Sequence, residues 1–504
     1  MKKYAFIAGL LISVTAVAQS ITPSEGLRYS DQQLNGTARF NSMGGAFGAV
    51  GGDLSALGIN PAGSLFFNNN VASLSLKYDN NSNNAAFLGT QTKTNSNNFN
   101  INQAGTVFVF TNPDKTLNKL AIGVTYENIS SFKNKYNFGG YSNESAIDQY
   151  FLDYANGTNG LGVFPIQYAT DYNFSDFGNF ADQQAWLGYN SYLLDYDSNS
   201  DSYYTNVPTG VSHYQSKSVN NKGYHSKIQV NLAGAIKNKL FLGANLNGHI
   251  TNSEKTFTIA EENNGVYDTG ITVNKTFFDN YVLTYGGGFN LDLGAIYKVN
   301  DGFRFGISYA SPTWHNLKDE IQQGIYTVRT EEANPNNNIG NSLYPQVTTV
   351  FNSYNLRTPS KFTGSIAGIV AKKWLISADV TTTDLSKTKY TSSGFDVVNS
   401  YYADNLQRTY EYRIGTEILL KNFALRGGYR LSESPYKNKS LSPNKDTSTL
   451  SAGVGYNFGK SKLDLSYSYT DRNFNEEFIS NNWQNSANIK NKNNAVTLTY
   501  TVNF

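Results

Sequence analysis

Cysteine is absent, which excludes a disulfide framework and any thiolate-bound metal or iron–sulfur centre. Charge is scarce: 15% of the residues are Asp, Glu, Lys or Arg, against about 25% in an average soluble chain. The net charge is +2, and Lys2 and Lys3 supply both units, so the charge balance gives no reason to expect nucleic acid as a partner. Outside the N-terminus no apolar run reaches the roughly 18 residues that a membrane helix needs, and the mean hydropathy is −0.43. Proline (11) and methionine (2) are sparse in the 504 residues, whereas Tyr (36), Phe (31), Gly (44) and Asn are plentiful. Such a composition suits one large β-sheet.

The first residues read as an export signal over 1–18. Lys2 and Lys3 precede an apolar stretch from Tyr4 to Val14, and Ala16-Val17-Ala18 offers a small-x-small cleavage site with Gln19 as the new N-terminus. No cysteine follows it, so this site carries no lipid anchor. The expected destination is outside a bacterial cytoplasm.

From Val71 the chain alternates apolar with small or polar residues, the period that sends successive side chains to opposite faces of a strand. Phe289, Leu291 and Leu293 alternate with Asn290, Asp292 and Gly294; Val496, Leu498, Tyr500 and Val502 alternate with Thr497, Thr499 and Thr501. The pattern predicts strands at 71–79, 99–111, 119–132, 223–237, 240–252, 281–299, 302–310, 360–371, 373–383, 408–420, 422–431, 447–458, 461–470 and 493–504. Connections alternate between short turns, such as Asn238-Lys239, Asn300-Asp301 and Gly459-Lys460, and long Asn-rich loops, the longest at 133–222 and 311–359. An even set of strands with short turns on one side and long loops on the other is the outer-membrane pattern. The expected fold is all-β, a 14-stranded antiparallel transmembrane β-barrel over 71–504. A soluble sandwich is the competing fold. The terminal Phe504, with apolar residues at every second position before it, resembles the C-terminal signal read by barrel-assembly machinery.

Three features of the barrel draw functional expectations. Asp379, Glu411, Arg413, Glu417, Arg426 and Arg430 fall on the predicted lumen face of strands nine to eleven, as a wall-holding ladder or as a site for a plug or a ligand carboxylate. Alternation fails in strand three at Glu127, Asn128, Ile129 and Ser130, where a bulge would break the ladder and mark a lateral opening. Phe164, Phe174, Phe177, Phe180, Trp186 and Trp314 lie in long loops and are candidates for a ligand entrance. Catalysis is not expected: the four histidines, His213, His225, His249 and His315, belong to no G-x-S-x-G or H-E-x-x-H motif, and His225 and Ser226 would face opposite ways on a strand. No metal site or cofactor is expected; Asp197 and Asp201 read as part of a solvated polar loop.

Residues 19–70 do not read as a barrel strand. Gly pairs (Gly44, Gly45; Gly51, Gly52) and the run Asn60-Pro61-Ala62-Gly63 suggest short helices between breaks, folded as a plug inside the lumen. The stretch GTARFNSMGGAFGAVGGDLSALGINPAG, with its Asn-Pro-Ala motif at 60–62, resembles the N-terminal hatch of the FadL/OmpP1/TodX family of outer-membrane transporters of long-chain fatty acids and hydrocarbons. Gly306-Ile-Ser-Tyr-Ala-Ser-Pro312, Trp374-Leu-Ile-Ser-Ala-Asp379, Leu425-Arg-Gly-Gly-Tyr-Arg430 and Leu450-Ser-Ala-Gly-Val-Gly-Tyr456 are similar to stretches of that family's C-terminal half. The loops at 133–222 and 253–280 carry no such likeness. The resemblance implies a single-copy barrel blocked by a hatch. A hydrophobic compound, a long-chain fatty acid first, would land among the outer loops and enter the lumen. It would leave sideways into outer-membrane lipid as the hatch moves, without ATP. A diffusion porin and a surface-binding, adhesin-like barrel are the alternatives.

Overall fold

The computed structural model describes residues 23–112, 115–158, 162–265, 270–332, 334–438, 445–479 and 485–504; the export signal at 1–18 lies outside them. The wall is built from β1 (Val71–Phe87), β2 (Thr90–Thr111), β3 (Leu117–Ser131), β4 (His213–Ile236), β5 (Leu240–Asn263), β6 (Ile271–Asn300), β7 (Phe303–Ala310), β8 (Lys361–Val370), β9 (Trp374–Asp384), β10 (Arg408–Leu420), β11 (Phe423–Ser432), β12 (Thr447–Asn457), β13 (Ser461–Glu477) and β14 (Ser486–Asn503). Each pairs antiparallel with the next. β14 pairs with β1, from Val71 opposite Asn503 to Ala86 opposite Asn488, so the sheet closes and has no free edge along this seam.

The faces are inverted relative to a soluble protein. Phe289, Leu291, Leu293, Ile307, Phe362 and Leu450 are exposed on the outside, while Asn231, Asn245, Asp292, Asp379 and Thr499 are buried inside. A sandwich would bury the first set. In lipid the outward apolar set is solvated by hydrocarbon, and ladder pairing satisfies the backbone.

Several strands run farther than alternation predicts. Residues 80–98, expected as a loop, instead continue β1 and β2 up to a turn at Leu88-Gly89, both at positive φ. Here most residues on both faces are polar, with Ala85 and Phe87 buried against the lid, so the period-two signal vanishes while pairing persists, helped by cross-strand contacts such as Asn80 to Asn97 at 2.5 Å. The 133–222 and 311–359 loops are corrected likewise. Asn134–Ser142 pairs with the outer half of β4, and Thr313–Glu331 continues β7 alongside β6. The rest of the first loop forms a lid with helices Ile147–Ala155, Ile166–Asp171 and Phe180–Asn190. No helix among the described residues is long and apolar enough to cross a membrane.

Residues 23–70 fill the lumen with short helices at Pro23–Leu27 and Ala38–Ser42 and tight turns at Ser55–Gly58 and Pro61–Phe66. They reach the wall closely because the wall has glycines where they touch. A Cβ at Gly294 would stand 2.0 Å from Asn60 Oδ1, one at Gly306 2.3 Å from the Gly48 carbonyl, and one at Gly428 2.2 Å from the Gly44 nitrogen. The plug and the barrel therefore fit as one packed body.

Candidate functional site

The plug is held by its own motif. Asn60 is extended and its Oδ1 accepts from the Ala62 N–H (3.2 Å), capping the turn that Pro61 opens. Its Nδ2 donates to the carbonyls of Gly48 (2.8 Å), Ala295 (3.1 Å) and Ile307 (3.3 Å), joining the plug to itself and to β6 and β7. Gly63 accepts from the Gly52 N–H (3.0 Å). Gly44 and Gly45 have φ of +61° and +76°, the left-handed conformation, and a Cβ at Gly44 would stand 3.0 Å from the Tyr429 backbone of β11. Asn60→Ala is expected to lower stability by about 1–3 kcal/mol, because a buried amide network loses its donor; thermal melting of the purified barrel followed by circular dichroism measures it.

The predicted lumen charges come together, and residues of the plug complete them. Glu417 accepts from Arg426 (2.6 Å) and from Arg39 of the plug (2.8 Å), and Arg426 also reaches Asp464 (2.6 Å). Glu411 binds Arg413 (2.5 Å) and Arg430 (2.7 Å), and Asp379 faces Arg413 at 3.7 Å while accepting from the Gly48 N–H (3.0 Å). Arg430 also donates to the Gln32 carbonyl (2.5 Å). These charges pair with one another along the wall and also contact the plug through Arg39, Gly48 and Gln32. In the plug, burial pushes the Asp53 carboxyl above its ordinary value, and nearby Arg39 and the Thr37 hydroxyl oppose that shift.

The opposite wall is weaker. β2 and β3 pair only from Thr111 opposite Lys119 to Gln103 opposite Glu127. Beyond that, Asn102 bulges from β2, and the β3–β4 register shifts between Asn128 and Ser130, leaving Ile129 unpaired. Glu127 pairs with Lys227 of β4 at 3.2 Å. Plug residues bridge the interrupted ladder. Gln33 Nε2 donates to the Ser131 carbonyl (3.0 Å) and its Oε1 accepts from the Ser131 N–H (3.2 Å). Asn35 donates to the Ile129 carbonyl (3.2 Å), Asn102 donates to the Gly36 carbonyl (2.5 Å), and Lys77 reaches Asn35 Oδ1 (2.6 Å). Broken alternation in the sequence marks the bulge, but nothing there marks residues 33–36, whose side chains show no pattern of their own.

Above the plug lies a cavity of about 970 Å³. One part of its lining is apolar and aromatic, with Tyr150, Phe257, Ile259, Phe278 and Ile321; another carries Lys77, Lys217, Lys255, Lys361, Arg413 and Arg430. Lys217 and Lys255 pair with Glu476 (2.8 and 3.3 Å) and Lys77 with Asp79 (3.2 Å). Lys361 donates to the Ser30 carbonyl (3.3 Å) and joins no ion pair among the described residues.

The loop aromatics do not gather at one entrance. Phe164, Phe174 and Trp186 are buried in the core of the lid, with Phe177 packed against it; there Phe174 meets Trp186 and Phe164 meets Phe177 edge-on. Trp314 lies on the outer face stacked on Phe289, its neighbour His315 pointing inward. Of the six, Phe180 lines the cavity. The lid rings bury their surface against one another and against Phe278 and Ile259 of the barrel, with the edge-on contacts that aromatic pairs favour.

The closed barrel agrees with what sequence comparison finds: residues 228–504 match the model of the family described as outer membrane protein transport protein (OMPP1/FadL/TodX). The chain belongs to that family. The matched part starts within β4, so the plug and the first three strands lie outside it. The structure is similar to that of a Pseudomonas aeruginosa FadL homologue (TM-score 0.55, 12% identity, 94% of this chain and 99% of that one). It is also similar to the deltaS2 mutant of the TodX monoaromatic hydrocarbon channel (TM-score 0.52, 13% identity, 94% and 100%). At these identities the likeness establishes the fold. No curated protein matches the sequence. Family and barrel together place this FadL-family protein in the outer membrane.

Proposed function

We propose that this FadL-family protein carries hydrophobic compounds inward across the outer membrane, with long-chain fatty acids as the preferred cargo and sideways release between β2 and β3 as the plug segment 33–36 withdraws. The observation that carries this reading is the interrupted β2–β3 ladder, bridged by the Gln33 and Asn35 side chains and the Gly36 carbonyl of the plug instead of by strand-to-strand pairing. An apolar chain that leaves through the wall passes from a protein surface to hydrocarbon, and each methylene withdrawn from water is favoured by about 0.8 kcal/mol. No chemical energy is then needed at this membrane. A porin reading is disfavoured by a lumen filled with buried plug residues from Ala38 to Leu57.

The cargo is argued from the cavity. Its aromatic and aliphatic part suits an alkyl chain, and Lys361, which joins no ion pair among the described residues, suits a carboxylate head. A neutral monoaromatic hydrocarbon, the class of compound for which the similar TodX channel is named, would bring that ammonium no counter-charge. Lys361→Ala is expected to weaken uptake of labelled oleate by roughly tenfold, the factor that ~1.4 kcal/mol controls, and to leave uptake of labelled toluene unchanged. Proteoliposomes with a labelled sugar as control make the comparison. Sugar flux in the wild type, or toluene uptake falling together with oleate uptake in the variant, would defeat the cargo assignment.

A further inference from the structure

Three of the four histidines of this chain meet inside the barrel, and nothing in the transport scheme uses them. His225 (β4), His249 (β5) and His315, on the continuation of β7, are buried with ring centres 5.2, 5.5 and 5.7 Å apart. His225 Nε2 and His249 Nδ1 are 3.0 Å apart. His249 Nε2 is 2.8 Å from Asn290 Oδ1, and Asn290 Nδ2 donates to Asp292 (2.7 Å). That chain of bonds sets the tautomer: His249 carries its proton on Nε2 and presents a lone pair on Nδ1 toward His225. His225 Nδ1 and both nitrogens of His315 are buried and have no hydrogen-bond partner among the described residues. Asp292 is also buried; it accepts from Asn245 (3.2 Å) and Asn247 (2.7 Å) but joins no ion pair among the described residues.

We propose that these three imidazoles bind one imidazole-preferring transition-metal ion, with Zn²⁺ as the reference case. Three imidazoles held on a tetrahedral ion at ~2.0–2.1 Å have ring centres about 5 Å apart, and two of their nitrogens lie about 3.3 Å from each other. The observed spacings lie close to both values. As they stand the three rings do not form such a cage, and no group of three His, Cys, Asp or Glu side chains among the described residues is placed to hold a metal ion. Closing this one requires His315 to turn a nitrogen toward the other two, and no hydrogen bond of its ring has to break. His225 then offers Nε2 and carries its proton on Nδ1, so no proton is lost from the site. Gly288 makes room, since a Cβ there would stand 2.7 Å from His315 Nδ1. The Asn290–Asp292 pair supplies what metal-bound histidines ordinarily have, a polar partner on the far nitrogen with a carboxylate behind it. Asp292 also provides negative charge near a dication. Tyr29 lines the cavity and packs its ring on His225 and His315 (centroids 5.8 and 5.4 Å), so an ion would enter from the cavity past this plug residue.

The test uses the full-length, tag-free protein purified in detergent, stripped with chelator and titrated with Zn²⁺ by calorimetry, with Co²⁺ absorption as a second readout. Wild type is expected to take up one ion per chain with a tetrahedral Co²⁺ spectrum. His249→Ala and His315→Gln should abolish that spectrum. Asn290→Leu should weaken binding by roughly 10–100-fold, and His213→Ala should leave it intact. Heat-modifiable gel mobility checks that each barrel is folded. A wild type that binds no ion, or binding unchanged in folded His249→Ala and His315→Gln proteins, overturns the proposal.

Discussion

A protein carrying Gln33→Cys and Ser131→Cys is expected to lose oleate uptake to the level of barrel-free vesicles once the pair is oxidised, and to recover it on reduction. The native chain has no cysteine, so the engineered pair has no competing thiol. The expectation rests on comparing how the plug is held on its two sides. At the β2–β3 interruption it is held mainly by hydrogen bonds of Gln33, Asn35 and Gly36 to neutral groups, with Lys77 as a charged donor. A neutral bond contributes about 0.5–1.5 kcal/mol net, so this side can open with a few kcal/mol. At β9 to β11 it is held by the bidentate pair of Arg39 with Glu417 and by Asp379 and Arg430 on its backbone, and bonds to charged groups are about twice as strong. The plug should therefore move at residues 33–36 while its far side stays fixed. Uptake that survives a demonstrated cross-link would place the exit elsewhere.

Glu417→Gln is expected to be the most damaging single change in the lumen. It removes the charge that answers both Arg39 and Arg426, whose side chains are largely buried. Breaking a buried pair by deleting one partner costs about 3–5 kcal/mol, because a charge is left uncompensated. Arg426 retains Asp464 and Arg39 retains the Gly52 carbonyl (3.0 Å), so the barrel should still fold while the plug loosens. The signature is a small hydrophilic solute entering proteoliposomes that exclude it with the wild type, together with earlier protease cleavage near Arg39. A variant as tight and as protected as wild type would show that the glycine-slot packing alone holds the plug.

The wall was legible because its physics is local. Each strand meets lipid on one face and a polar lumen on the other, so alternation is written into consecutive residues such as Phe289 to Leu293. Where both faces are largely polar, as in 80–98, the same strands continue without that signal and look like loops. The loop aromatics mislead for a related reason: exposure cannot be read from a residue's type, and Phe164, Phe174 and Trp186 bury one another.

The sequence by itself determined the strands, their alternating faces, the lumen charges and the bulge at Ile129, all of which depend on residues a few positions apart. Tertiary structure decided the rest. Gln33 meets Ser131 across 98 positions, Arg39 meets Glu417 across 378, and His225, His249 and His315 share one pocket because β4, β5, β6 and the continuation of β7 lie side by side in register. Spacing along the chain cannot reveal such meetings, since barrel closure and register set which inward side chains face each other.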